Sequence, residues 1–132
     1  MSIIESNNLK TQPASHKFLL PLILGEDIGS SFNTNEAKVT NLYNKRFAFK
    51  LLADSRCTAL LPDLCRGYQL TKDRDTKEYA AFAILNVILN DRLLAEPLLR
   101  SNVLLRATLA EIANNKELPG DYCKHAIDLL KK

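Results

Sequence analysis

The chain repeats itself. Residues 57–88 slide forward by 43 positions without a gap onto a second stretch, and apolar side chains fall on apolar side chains. Leu60 meets Val103, Leu61 meets Leu104, Tyr79 meets Tyr122, Ala83 meets Ala126, Ile84 meets Ile127 and Val87 meets Leu130. A fixed period of about 40–47 residues marks arrays whose units are two or three helices each. Stacked helical units share a core and leave an extended surface, so such a chain binds along a face rather than enclosing a reaction. No stretch alternates with period two over any length, and the fold class reads as all-α.

A repeat needs a core to stack around. Of 132 residues, 46% are hydrophobic, enough for one packed domain. Lys and Arg exceed Asp and Glu by 3, and the basic residues are scattered along the chain, which argues against non-specific nucleic-acid binding. Cys57, Cys65 and Cys123 are odd in number and have no paired spacing, unlike a disulfide framework. Met1 to Ser15 contains no basic segment followed by an apolar one, so no signal peptide is visible. The longest apolar runs, Phe18 to Leu24 and Tyr79 to Val87, fall short of the roughly 20 residues that span a bilayer. A soluble, reduced, cytoplasmic protein without membrane association is the expectation.

Residues 1–16 are mostly polar and read as a flexible arm, with one helical domain over 17–132. Phe18 to Leu24 predicts a short buried helix with Pro21 in its first turn. Gly25 to Asn35 reads as a loop, and Asn35 as the N-cap of a long helix ending near Asp54-Ser55. A helix from Thr58 to Leu70 follows, with Gly67 as a point where it breaks or bends. Asp75 with Glu78 forms a capping-box pattern before the most apolar helix, in which Asn86 is the only polar residue from Tyr79 to Leu89. A segment over Leu93 to Leu99 carries Pro97. Ser101 is the expected cap of a helix to Ile112, and the last helix runs from Pro119 to Leu130.

Ala83-Ile84-Leu85-Asn86-Val87 resembles the third helix of the armadillo repeat, whose pattern is Ala-Leu, any residue, Asn-Leu. Ala59-Leu60-Leu61-Pro62 and Leu19-Leu20-Pro21-Leu22 resemble the opening of its second helix. The HEAT repeat is a looser likeness. The resemblance covers about residues 18–131 and implies a short right-handed α-solenoid: a partial unit over 17–54, then units over 55–90 and 91–131. The alternative is an irregular helical bundle. Ala48-Phe49-Lys50-Leu51 and Ala126-Ile127-Asp128-Leu129 depart from the pattern, with Leu where the family has Asn.

No catalytic set survives inspection, and the protein reads as a non-enzyme without cofactor or metal. Cys123 and His125 stand two apart, so on a helix they point to different faces. The cysteines read as buried small hydrophobes. Asp73-Arg74-Asp75 begins like a calcium loop, but Glu78 stands where Gly is required.

The sequence therefore predicts a protein-interaction module, an adaptor, chaperone or regulatory subunit. By the resemblance, Asn86 lines a concave groove and pairs with the backbone of an extended partner, a role suited to an amide that donates and accepts at once. The competing reading has Asn86 fixing a neighbouring loop. The expected partner-binding residues are Arg46, Lys50, Tyr79, Phe82, Asn86 and Asn90, and the two cations among them suit an acidic or polar segment. Ile127 and Leu130 on the final helix point to cover by another chain, as a homodimer or in a complex. The alternative function is nucleic-acid association through Arg46, Lys50, Arg56, Lys72, Arg74 and Lys77 in the 45–77 stretch.

Overall fold

Short polar side chains set where several of these helices begin. The computed structural model describes residues 14–25 and 35–131. Within them run α1 (Ala14–Leu24), α2 (Asn35–Leu52), a 3-10 turn (Thr58–Leu60), α3 (Leu61–Leu70), α4 (Arg74–Asn90), α5 (Arg92–Ser101), α6 (Val103–Asn114) and α7 (Gly120–Leu130). The fold is all-α, and no strand occurs among the described residues. Asp73 caps α4 by accepting from the Thr76 amide at 2.9 Å, and Asn102 caps α6 by accepting from the Leu105 amide at 2.9 Å. Asp91 serves α5 in the same way through the Leu94 amide. Each satisfies a donor that the first turn would leave orphaned, which stabilises a helix by about 1 kcal/mol.

Two caps differ from expectation. Asp73 replaces Asp75, and Asn102 replaces Ser101, whose hydroxyl instead donates back to the Pro97 carbonyl. Helix α1 begins at Ala14, so residues 14–16 are helical rather than part of an arm, and Pro21 stands inside the helix. Residues 1–13 of the expected arm, 26–34 of the expected loop and the side chain of Asn35 lie outside what is described. Helix α5 likewise continues through Pro97.

Three helix pairs pack together: α1 with α2, α3 with α4, and α6 with α7. Two rows run across the pairs. Helices α1, α3 and α6 touch in series, and so do α2, α4 and α7, while α5 rests against α4 and α6. Helix α4 is central, with Ala80, Ala81, Ala83, Ile84, Leu85, Val87 and Ile88 all buried, as its nearly unbroken apolar run requires.

Gly67 does not break α3. A Cβ there would lie 2.9 Å from Phe49 Cζ and 3.1 Å from the Ile23 carbonyl oxygen, so the glycine lets α3 approach α1 and α2 closely.

The gapless slide of 43 pairs residues of unlike burial at several positions, although Ala83 and Ala126 are both fully buried. Leu60 is fully buried and Val103 is 80% exposed; Ile84 is fully buried and Ile127 is 42% exposed. Burial matches instead at an offset of 44 in the first helix, where Leu61, Leu64, Cys65 and Tyr68 correspond to Leu105, Thr108, Leu109 and Ile112. In the second helix an offset of 42 is one of those that set the two buried residues of α7 on buried residues of α4, with Ile84 and Val87 corresponding to Ala126 and Leu129. One residue of slip turns a helix position by about 100°.

Candidate functional site

The row α2–α4–α7 carries an aromatic face. On α2, Tyr43 and Phe47 stand four apart and exposed, with Lys50 one turn beyond Phe47. On α4, Tyr79, Phe82, Asn86 and Leu89 share one stripe by helical spacing. On α7, Tyr122 and His125 stand three apart. Side-by-side packing of the three helices brings Lys50 of α2 and the stripes of α4 and α7 into two adjoining clefts, which Tyr43 and Phe47 do not line.

The first cleft, of about 220 Å³, is lined by Lys50 of α2, by Glu78, Tyr79 and Phe82 of α4, and by Tyr122 of α7. The second, of about 140 Å³, is lined by Phe82, Leu85, Asn86 and Leu89 of α4 and by Asp121, Tyr122 and His125 of α7. Phe82 and Tyr122 form the shared wall, their ring centroids 6.4 Å apart at an interplanar angle of 34°. Burial raises the Tyr122 phenol above its ordinary pKa, and the Glu78 carboxylate adds to the shift.

Four of the six expected residues, Lys50, Tyr79, Phe82 and Asn86, line these clefts. Arg46 and Asn90 do not. The Arg46 guanidinium reaches across to α4, with Nη2 2.8 Å from Asp73 Oδ2 and Nε donating to Thr76 Oγ1 at 3.0 Å, and it lies over the Tyr43 ring. Burial would lower its pKa, but the hydrogen bond and charge of Asp73 outweigh that and raise it. Burial would likewise push the Asp73 carboxyl up, yet its bonds to Thr76 and Arg46 hold it below the usual carboxylate range. Arg46 is a strut between helices.

No protein-family model matches the chain, and no curated protein and no solved structure shows significant similarity to it.

The asparagines fasten the end of α2. Asn86 Nδ2 donates to the Ala53 carbonyl at 2.8 Å, and Asn90 Nδ2 donates to the carbonyls of Ala53 and Ser55 at 3.2 and 3.0 Å. The last carbonyls of a helix have no partner within it, and these amides supply one. The loop-fixing role weighed for Asn86 is thus present, and it spends only the amide NH₂. Asn86 Oδ1 has no donor among the described residues, although the side chain lines the second cleft.

Sequence reasoning passed over Glu78, Leu85, Leu89, Asp121, Tyr122 and His125 as cleft residues. The signal for Tyr122 was its match to Tyr79. His125 was weighed only against Cys123, and the two do lie apart: Cys123 Sγ faces the Asn115 carbonyl at 3.5 Å, while His125 lines the cleft. Cys57 and Cys65 are buried, and burial pushes the Cys65 thiol up to about 12, which leaves it inert. Among the described residues no group of three His, Cys, Asp or Glu side chains could hold a metal ion, and no helix is long and apolar enough to cross a membrane.

Several basic residues of 45–77 are engaged within the fold, Arg46 with Asp73 among them. Lys45 is buried and donates to the Gly25 carbonyl, Arg66 pairs with Asp63, and Arg74 with Asp75. Lys77 Nζ sits 3.9 Å from the Tyr68 ring centroid and donates to the Tyr68 carbonyl. Between α3, α4 and α6, a concavity of about 430 Å³ is lined by Tyr68, Lys77, Ala110, Glu111, Asn114 and, just beyond α6, Asn115. Several of its polar groups already serve one another or a neighbour: Asn115 donates to the Tyr68 hydroxyl, and Gln69 donates to Glu111.

Proposed function

We propose that the protein is a non-enzymatic protein–protein interaction module, a short armadillo-like stack that takes a partner segment across the α2–α4–α7 row. Serial packing of two helix rows supports the stacked arrangement. The observation that carries the function is the convergence of Lys50, Tyr79, Phe82 and Asn86, from two helices, with Tyr122 and His125 from a third, on two clefts that share a wall. Half-exposed aromatic side chains are costly to leave in water and are over-represented in binding surfaces. The adaptor, chaperone and regulatory-subunit roles all use such a surface.

Affinity capture with the full chain tests this reading. Phe82→Ala and Tyr79→Ala are expected to lose captured partners while keeping wild-type helicity and melting temperature. Arg66→Ala, on the opposite row, is expected to keep them. Identical partners on wild type and on both cleft variants would overturn the assignment.

A further inference from the structure

We infer that the partner segment presents a cationic side chain, arginine or lysine, within about two residues of a large apolar one, and places the cation against Tyr79, Phe82 and Tyr122. The inference rests on the α2–α4–α7 row being the docking face, and it assigns the sign of the partner's charge. The sequence suggested the opposite sign because it counted Arg46 and Lys50 together. Arg46 is neutralised by Asp73, 2.8 Å away. With His125 counted as neutral, the charges that line the two clefts are then one cation, Lys50, and two carboxylates, Glu78 and Asp121. None of these three makes an ion pair among the described residues, so both carboxylates can receive a guest.

Three further features agree. The π faces of aromatic rings attract cations, and a guanidinium stacks on them as well. Tyr79 and Phe82 are 39% and 38% exposed, leaving ring surface for such a contact. The third feature is the orientation of Asn86. Its NH₂ must face the Ala53 carbonyl, because only a donor can meet that oxygen, which leaves Oδ1 as an acceptor. Glu78 lines the first cleft, and Asp121 and Asn86 line the second, so a guest cation held against the shared wall of Phe82 and Tyr122 has acceptors on both sides of that wall. The second cleft, walled by Phe82, Leu85, Leu89 and Tyr122, takes the apolar side chain. The two clefts share two residues, so the two side chains are near neighbours in the guest; positions i and i+2 of an extended segment lie on one side about 7 Å apart.

A randomised heptapeptide library displayed on phage, selected against the full chain, supplies the probe. The best peptide is then titrated by fluorescence polarisation against wild type, Phe82→Ala, Tyr122→Ala, Glu78→Lys and Lys50→Ala, each checked by a circular dichroism melt. Selected peptides are expected to carry Arg or Lys within two positions of Leu, Phe or Met. Glu78→Lys should weaken binding by about tenfold, and added salt should weaken it in wild type. Lys50→Ala should tighten it, by about threefold, because it removes a like charge from the cleft. If selected peptides need Phe82 or Tyr122 but are acidic, carry no charge bias, or bind worse to Lys50→Ala, the charge assignment is wrong and the docking face stands. If no selected peptide depends on Phe82 or Tyr122, both readings fall together.

Discussion

Helices α4 and α7 occupy corresponding places in successive pairs, yet their burial differs sharply. Seven apolar residues of α4 are buried, against Ala126 and Leu129 alone on α7. Helix α4 is flanked in its row by α2 and α7 and backed by α3, whereas α7 has α4 beside it and α6 behind it. A helix covered on one more side can be apolar nearly all round; one left open needs charge there. At the burial-matched offset of 42, Leu85, which lines the cleft towards α7, corresponds to the exposed Ile127, and Leu89 corresponds to Lys131. Stability in such an arrangement is set by neighbours more than by helix propensity.

The widest separation between the two helices is expected in core truncations. Ile84→Ala should cost about 3 kcal/mol, the usual range for emptying a fully packed site. Ile127→Ala should cost less than about 1 kcal/mol, because water already reaches the side chain. Urea denaturation of both variants measures the gap, and equal losses would break the comparison.

Glycines give a contrast of sign. Gly67→Ala should destabilise by about 2 kcal/mol, since the new methyl group presses on the buried Phe49 ring and the Ile23 carbonyl. Gly120→Ala, at the start of α7 with nothing within 4 Å of the added Cβ, should be neutral or stabilise by up to about 1 kcal/mol. Thermal melts of the two variants that shift in the same direction would contradict the packing described for α3.

A smaller single-site loss is expected at the end of α2 than at Ile84 or Gly67. Asn86→Ala should cost about 1 kcal/mol, because Asn90 still donates to the Ala53 carbonyl; removing both amides should cost about 2–3 kcal/mol by leaving that buried acceptor unmet. A double variant that loses no more than Asn86→Ala would show that the amides do not share the carbonyl.

The sequence made the all-α class and most helix spans legible because periodicity and turn residues are local signals. Caps were harder. Asp73 and Asp75 both stand before an apolar run; Asp73 is the cap because the Thr76 amide and hydroxyl both donate to it, and Arg46 from α2, 27 positions earlier, adds a further bond. The same contact removed Arg46 from the site, which no reading of α2 alone could reveal. Gly67 looked like a flaw because the residue that needs the space, Phe49, lies on another helix. The 43-residue slide found a genuine likeness of composition, but matching types is not matching faces. Tyr79, Phe82 and Asn86 were readable as one stripe of α4 from spacing alone; Tyr122 and His125 required knowing which helix lies beside it.

The central claim is that a partner docks on the row α2–α4–α7 and not on the row α1–α3–α6. Hydrogen–deuterium exchange of the full chain, with and without a bound selected peptide, tests it most directly. The account predicts added protection at residues 78–90 and 121–126, with residues 61–70 and 103–114 unchanged. Protection confined to residues 61–70 and 103–114 would contradict it.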